Sequence, residues 1–502
     1  MKMNISQRIM LDLAVTALML TVWPAMANNV VITNTILRAP VDGKVMVQFD
    51  LSWDNSWRDE VTNFDACWIF VKYSTDSGSN WSHATLAASG TNPPGFTNGI
   101  GTNLDIIVPA DKTGAFVQRS VPGTGTVSNT DIKLVWDFAA NGIQKFQSAR
   151  VQVFAIEMVY VAEGAFWAGN TNGVINYSFH ALGDDNSPVY IASTNAFVLY
   201  YGTGDVSSAA VSNTYPNGYA AFYLMKTEIS QRQYCDFLNT LTATQQGNRY
   251  NNDLLFGGSR KYIKRTSTNP AFFGCDANNN AGAATSANAS LLNEPGDGEW
   301  VACNSLCWMD GAAYADWAAL RPMTELEFEK ACRGPLVAVA GEYAWGNTTL
   351  DSTVSVADQK TVSEAPDQGN CNYVDCVLDG PYRCGSYANA TSGRVSAGAG
   401  YYGVLGLSGS LIERAVTVGR ATGLVFTGIH GDGILSLSGH ANVTNWPGLI
   451  IGQVTGADGA GARGGCWQSS YVSERVADRA SAAVVYTSRY PAYGWRGARS
   501  SP

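Results

Sequence analysis

The chain has 502 residues, of which 46% are hydrophobic and only 15% charged, with a formal net charge of −9; the usual charged share is about 25%. That length allows two or more domains, each with a core of its own. The acidic balance argues against nucleic acid and anionic membrane surfaces as partners.

At the start, Lys2 and Arg8 precede an apolar run from Leu13 to Trp23, and Ala25-Met26-Ala27 reads as a small-x-small cleavage site. The run is too short to span a bilayer, so residues 1–27 read as a signal peptide despite Asp12 at its edge. The mature protein is then expected to be secreted or held at the cell surface. No later segment is apolar enough to span a membrane. All ten cysteines follow the cleavage site, where export permits disulfides. Cys376 and Cys384 flank a Gly-Pro turn and are the expected local bridge, and two of Cys303, Cys307 and Cys332 could form another. There is no Cys-x-x-Cys pair to make a structural zinc site.

Residues 28–155 read as an all-β sandwich. Val45, Val47, Phe49 and Leu51 alternate with Met46, Gln48 and Asp50, and Arg150 to Ala155 alternates again, with Gly, Asn, Asp and Pro clusters between such runs. Ser74-x-Asp76-x-Gly78-x-x-Trp81 resembles a single Asp-box. The simpler reading is a hairpin whose Ser and Asp tie their own turn while the Trp packs beneath.

Near residue 157 the pattern changes, and a second domain runs from 157 to 502. Ser230 with Gln233 makes a capping box, followed by Tyr234, Phe237, Leu238 and Leu241 at i, i+3, i+4 and i+7. Asp310 is placed to cap a second helix with Ala313, Trp317 and Leu320 inward and Pro322 as its stop. Thr324 with Glu327 caps a third, which ends at Gly334. After Gly346 few periodic runs remain, so loops and short strands are expected.

Five stretches occur in the order found in one known family. They are Ile156 to Val161 with Gly164 to Gly169, Gly218 to Ser230, Trp308 to Gly334, Tyr343-Ala344-Trp345-Gly346-Asn347, and Arg463-Gly464-Gly465-Cys466-Trp467 with the terminal Gly494-Trp495-Arg496. Together they resemble the formylglycine-generating enzyme family, also called the sulfatase-modifying factor family. The resemblance implies an α+β fold: the N-terminal sandwich followed by a C-type-lectin-like domain with few helices and many loops.

The same resemblance implies metal positions. Calcium, as a structural ion, would take side chains of Asn372 and Asp379 and carbonyls of Tyr373 and Pro381. A second calcium would keep Glu413, but Gly406 stands where a carboxylate or amide belongs. The copper-binding members use two thiolates, whose positions here read Ser469 and Glu474. Neither residue can be a thiolate, so copper is not expected. Some relatives in the ergothioneine pathway use iron, but their ligands lie in a separate helical domain. His83, His180, His430 and His440 lack His-x-x-x-His spacing and read as histidines bonded to backbone.

What remains is a surface. Trp467, Gln468, Ser469, Ser470, Tyr471, Ser473, Glu474, Tyr486, Tyr490, Tyr493 and Trp495 form a mixture of tyrosine and small polar residues typical of adaptable binding sites. Arg475, Asp478 and Arg479 among them suit an ion-pair network that holds the loops. The arrangement also resembles the variable proteins of diversity-generating retroelements, which diversify this part of the same scaffold. The leading expectation is a secreted, non-catalytic protein binding carbohydrate or protein through these loops. An oxidoreductase that converts a client sulfatase cysteine to formylglycine is the alternative. A self-assembling cell-surface or appendage subunit is a third. Asn80, Asn176 and Asn442 are candidate glycosylation sites in a host that uses them.

Overall fold

In the computed structural model, the residues described are 29–145, 147–173, 177–203, 207–250 and 259–502. The signal-peptide segment and Asn176 therefore lie outside the described residues. The strands that organise the first part are β1 (Val31–Leu37), β2 (Lys44–Glu60), β3 (Asn63–Ser74), β4 (Leu104–Val108), β5 (Ala115–Arg119), β6 (Gly123–Asp137) and β7 (Arg150–Val161). β2 lies between β1 and β6, while β3 pairs with β5 and β7, all antiparallel. The alternating run of β2 behaves as its pattern requires: Val45, Val47, Phe49 and Leu51 enter a core with Ile69, Val71, Val117 and Leu134.

β3 is buried along almost its whole length. Cys67, Ile69 and Val71 face the sandwich core, whereas Phe64, Ala66, Trp68 and Phe70 face a different core shared with the second domain. One sheet thus serves two cores, which explains a strand apolar on both faces. Across the hairpin after β3, Ser74 and Asp76 tie the turn: Gly78 N–H donates to Ser74 Oγ at 2.8 Å and Asn80 N–H to Asp76 at 2.9 Å. The indole of Trp81 donates to Gly78 O at 3.1 Å, so the Asp-box stretch is a self-tied hairpin.

The second domain begins on the sandwich's own sheet. The first residues of β7 pair with β3 alone, while Met158 pairs with Ala66 on one side and Met225 of β8 (Phe222–Met225) on the other. The expected junction at 155–157 therefore falls inside a continuous strand. A buried cluster marks the crossing: Lys226 Nζ pairs with Glu157, and its ammonium lies 4.8 Å from the Trp57 ring centroid. Nearby, Asp65 accepts from the Trp53 indole and the Ser56 hydroxyl. Beyond β8 the sheet ends in β12 (Gly497–Ser500) and β9 (Arg321–Pro322).

The helices are α1 (Gln231–Leu238), α2 (Ala243–Arg249), α3 (Trp308–Trp317), α4 (Glu325–Arg333) and the short α5 (Ala421–Leu424), and apolar residues of α1 and α3 enter the core that β3 shares with the second domain. The capping boxes at Ser230 and Thr324 form, and α4 ends at Gly334 with φ 64°, a conformation glycine adopts freely. For α3 the expectation shifts by three residues. Cys307 is the N-cap, and Asp310 sits at N3, accepting the Cys307 N–H at 3.1 Å. The rest is loops and short ladders, including β10 (Glu413–Val416) with β11 (Ala460–Arg463). The fold is α+β, mostly strands, with few helices. Among the described residues no helix is long and apolar enough to cross a membrane.

The cysteines depart from expectation: all ten are free thiols. Cys376 points its thiol at Cys371 O and Cys384 at Glu228 O, so the expected bridge between them does not form. Cys303, Cys307 and Cys332 are likewise unbridged, with Cys307 turned to Asp310 and Cys303 to Asn304 O. Nine of the ten are buried, behaving as small hydrophobes.

Candidate functional site

α4 supplies the frame of the C-terminal face. Glu325 and Glu329, one helical turn apart, are both fully buried. Glu325 accepts from Arg479 Nε at 2.7 Å and Arg463 Nη1 at 3.0 Å, and Glu329 from Arg463 Nη2 at 2.6 Å. Burial alone would raise the Glu325 carboxyl, but Arg479 and Arg463 outweigh it and hold it below the usual range. The ion-pair network expected from Arg475, Asp478 and Arg479 exists with different acids. Arg479 reaches α4, while the guanidinium of Arg475 lies 5.5 Å from the Tyr471 ring centroid.

Gly464 and Gly465 follow Arg463 with φ of 83° and 66°. A Cβ on Gly465 would lie 2.5 Å from the Glu474 carboxyl, so only glycine leaves room for that side chain. Glu474 is fully buried beneath the turn; its Oε1 accepts the Cys466 N–H at 3.2 Å, and its Oε2 has no partner. Burial pushes this carboxyl well up, toward a neutral acid. Ser469 is half-buried, its hydroxyl 3.2 Å from Cys466 Sγ. The two positions where the resemblance would set thiolates thus hold an alcohol and a buried acid around a single thiol, itself raised by burial. Cys371, on a different loop, is also buried, and burial raises its thiol.

The eleven residues expected to bind ligand divide by exposure. Gln468, Ser470, Tyr471 and Tyr490 are exposed, and Ser469, Ser473, Tyr486 and Tyr493 are half-buried. Trp467 is 8% exposed and packs with Leu411, Cys466 and Ala492. Glu474 and Trp495 have no exposure and leave the candidate surface. Trp495 is a core residue, its ring so close to Gly311 that a Cβ there would lie 2.0 Å away.

A residue that the sequence reading missed lies under the tyrosines. Arg414 is fully buried, with its guanidinium 5.7 Å from the Tyr486 ring centroid and 5.3 Å from that of Tyr493. Nη2 donates to Tyr486 O at 3.1 Å, but Nε and Nη1 have no hydrogen-bond partner among the described residues. Burial pulls its pKa down to about 10. Tyr493 also stands 5.4 Å from both Tyr486 and Tyr490, ring centre to ring centre. The cluster is a polarised aromatic surface with a cation behind it.

The residues expected for calcium lie on one stretch of loop with these surroundings. Asp379 is exposed, Pro381 O accepts from Arg260 at 2.7 Å, and Tyr373 O accepts the Cys376 N–H at 2.9 Å. Asn372 donates its amide to Gly380 O at 3.0 Å and keeps a buried Oδ1 without a partner. It lines a cavity of about 30 Å³ together with Glu228, whose Oε1 is also unpartnered. At the second position Glu413 is held by Arg496, whose guanidinium also donates to Leu405 O at 2.9 Å and Gly406 O at 3.3 Å. Among the described residues no group of three or more His, Cys, Asp or Glu could hold a metal ion. The histidines are tied to neighbours, His83 to Thr113 O, His180 to Gly202 O at 2.8 Å and His430 to the Ser500 N–H at 3.0 Å.

The arginine frame built on α4, the glycine turn over Glu474 and the terminal Trp495-Arg496 all fall within a stretch that a family model recognises. The sulfatase-modifying factor enzyme 1-like domain matches residues 151–501. The chain belongs to the sulfatase-modifying factor family. No curated protein matches it. The family match begins at the second residue of β7 and so takes in the strand that joins the sandwich sheet to the second domain. Within this family member, the Gly-Gly turn and the terminal arginine carry the frame, and what the frame displays is tyrosine, serine and glutamine.

Proposed function

We propose that this protein is an exported, non-catalytic ligand-binding member of its family, engaging carbohydrate or protein through the C-terminal face. The observation that carries the reading is the content of the two copper positions: Ser469 is an alcohol, and Glu474 is a buried acid turned inward to the Cys466 N–H. Thiolates are what soft Cu(I) requires, and the segment offers none of the pair. Around them, Gln468, Ser470, Tyr471 and Tyr490 face solvent. Tyrosine gives contact area with little entropy to lose, and small polar neighbours adapt their hydrogen bonds. The Arg414 guanidinium behind Tyr486 and Tyr493 favours ligands that present carboxylates or clustered oxygens. Diversification of this face by a retroelement belongs to the same reading. It predicts a near-copy of the segment encoding Trp467 to Trp495 beside a reverse transcriptase gene, differing at adenines.

The competing reading, oxidation of a client cysteine to formylglycine, rests on the family itself. Incubation with a cysteine peptide of the sulfatase type, Cu(I) and oxygen separates the two by mass spectrometry. The expected result is unchanged peptide, with glycan-array or protein binding that Tyr471→Ala and Tyr490→Ala each weaken about tenfold, the effect of a contact residue worth ~1.4 kcal/mol. Formylglycine formation that needs Cu(I) overturns the proposal.

A further inference from the structure

A cavity of about 600 Å³ lies away from the C-terminal face, at the seam where the sandwich meets the second domain. Its floor is Val151 to Glu157 of β7, and its lip is Val31 and Ile32 of β1. One wall is the polar stripe of α1, with Arg232, Asp236 and Asn239 at i, i+4 and i+7. Phe272, Glu299 and Trp300 line it as well, with Glu299 beside α1: the Arg232 N–H donates to Glu299 O at 2.8 Å. The volume falls within the range of small-molecule sites, and seams between domains are where such sites concentrate.

Glu299 decides what the cavity would take. It is 9% exposed and lines the cavity, and among the described residues no side chain hydrogen-bonds to it or closes an ion pair with it. Burial, with the Asp297 charge adding to it and Arg232 only partly offsetting it, raises this carboxyl. The nearby guanidinium of Arg232 is committed, its Nε donating to Asp236 at 3.1 Å. Two carboxylates therefore share one cation, and the wall is short of positive charge. Trp300 follows it in the chain, and Phe272, 41% exposed, lines the same cavity. A carboxylate next to aromatic faces matches an ammonium group, which gains a charge-assisted hydrogen bond from one and a cation–π contact from the other. An anion would be repelled. A neutral polyol could fill hydrogen bonds but would leave the charge uncompensated.

We propose that this seam cavity binds a primary ammonium carried on an apolar stem, with Glu299 pairing the ammonium and Phe272 and Trp300 packing the stem. It is independent of the C-terminal face and of whether that face is catalytic.

The test is calorimetric titration of the full-length mature protein with phenethylamine, 2-phenylethanol, 3-phenylpropionate and a neutral disaccharide. Phenethylamine should bind about tenfold more tightly than the alcohol, as one charge-assisted contact predicts. Glu299→Gln should remove that preference while leaving alcohol binding in place. Phe272→Ala, at an exposed position, should weaken both ligands without affecting the fold. Absence of phenethylamine binding at millimolar concentration overturns the proposal. So does an unchanged preference in Glu299→Gln, or tighter binding of the propionate or the disaccharide than of the amine.

Discussion

The sandwich and the second domain both bury long stretches of backbone, but they satisfy its polar groups by different means. In the sandwich the ladders do it: β2 pairs with β6 from Lys44 to Arg58, and the core between the sheets is almost wholly apolar. In the second domain arginines reach in to carbonyls of strand, helix and loop alike, in places beside a backbone donor, as where Lys226 O also accepts the Leu405 N–H at 2.8 Å. Arg496 donates to Met225 O, Lys226 O, Leu405 O and Gly406 O, Arg333 to Trp167 O and Gly169 O, and Arg394 to Cys332 O and Ala344 O. Every buried carbonyl needs a donor, and a guanidinium carries five in a fixed fork. Most of these guanidiniums also close on a buried carboxylate, so the scaffold of the second domain is an ionic framework where that of the sandwich is a hydrogen-bonded sheet.

If that difference is real, single substitutions should divide along it. Arg496→Ala removes one guanidinium and leaves Glu413, Glu228 and the carbonyls of Met225, Leu405 and Gly406 without that donor, while Lys226 O keeps the Leu405 N–H. A loss of about 3–5 kcal/mol is expected, as for other buried pairs broken on one side. Denaturant unfolding measures it, and a loss below about 1 kcal/mol would break the comparison. The pH response is the second test. Burial, only partly offset by Arg496, raises the Glu413 carboxyl to about 7. A carboxyl raised on folding contributes stability below its unfolded pKa near 4.5, and that contribution fades as pH rises through about 7. Glu413→Gln should therefore flatten the stability profile between pH 4.5 and 7, by at most about 1.4 kcal/mol per pH unit for a single group. A parallel, merely displaced profile would show that Glu413 titrates normally.

Ile132→Val in the sandwich core removes one methylene and should cost about 0.5–1.5 kcal/mol with no pH dependence of its own. A pH-dependent loss would mean that the sandwich is tied to the ionic framework more closely than the ladders imply. Tyr471→Ala, on the exposed face, should alter stability by no more than about 0.5 kcal/mol. A larger loss would make Tyr471 part of the frame through Arg475, removing it from the displayed surface.

Much of this was legible in the residues because it is local. The capping boxes at Ser230 and Thr324, the alternation of β2 and the self-tied turn at Asp76 depend on neighbours within a few positions. Asp310 shows the limit. Its ability to cap was readable, but the helix starts three residues earlier because Trp308 packs into the core, where its indole donates to Pro447 O at 2.8 Å. The arginines of the C-terminal stretch were readable as framework, but their acids were not, since Glu325 and Glu329 lie far upstream on α4. The disulfide expectation failed for a similar reason: Cys376 and Cys384 are close in sequence, yet their thiols point to different carbonyls. Trp495 was assigned to the surface by composition, and only its contact with Gly311 shows it to be core.

By itself, then, the sequence determined the family, the order of sandwich and loop-rich domain, and the cap and turn positions, because each is written in short-range pattern. Tertiary structure alone decided that β3 serves two cores, that Glu474 is turned inward under Gly465, and that Arg414 lies buried behind the tyrosines. It also decided that Glu299 faces a cavity at the seam. Each of these depends on what a distant segment brings alongside, and burial and charge compensation act through space rather than along the chain.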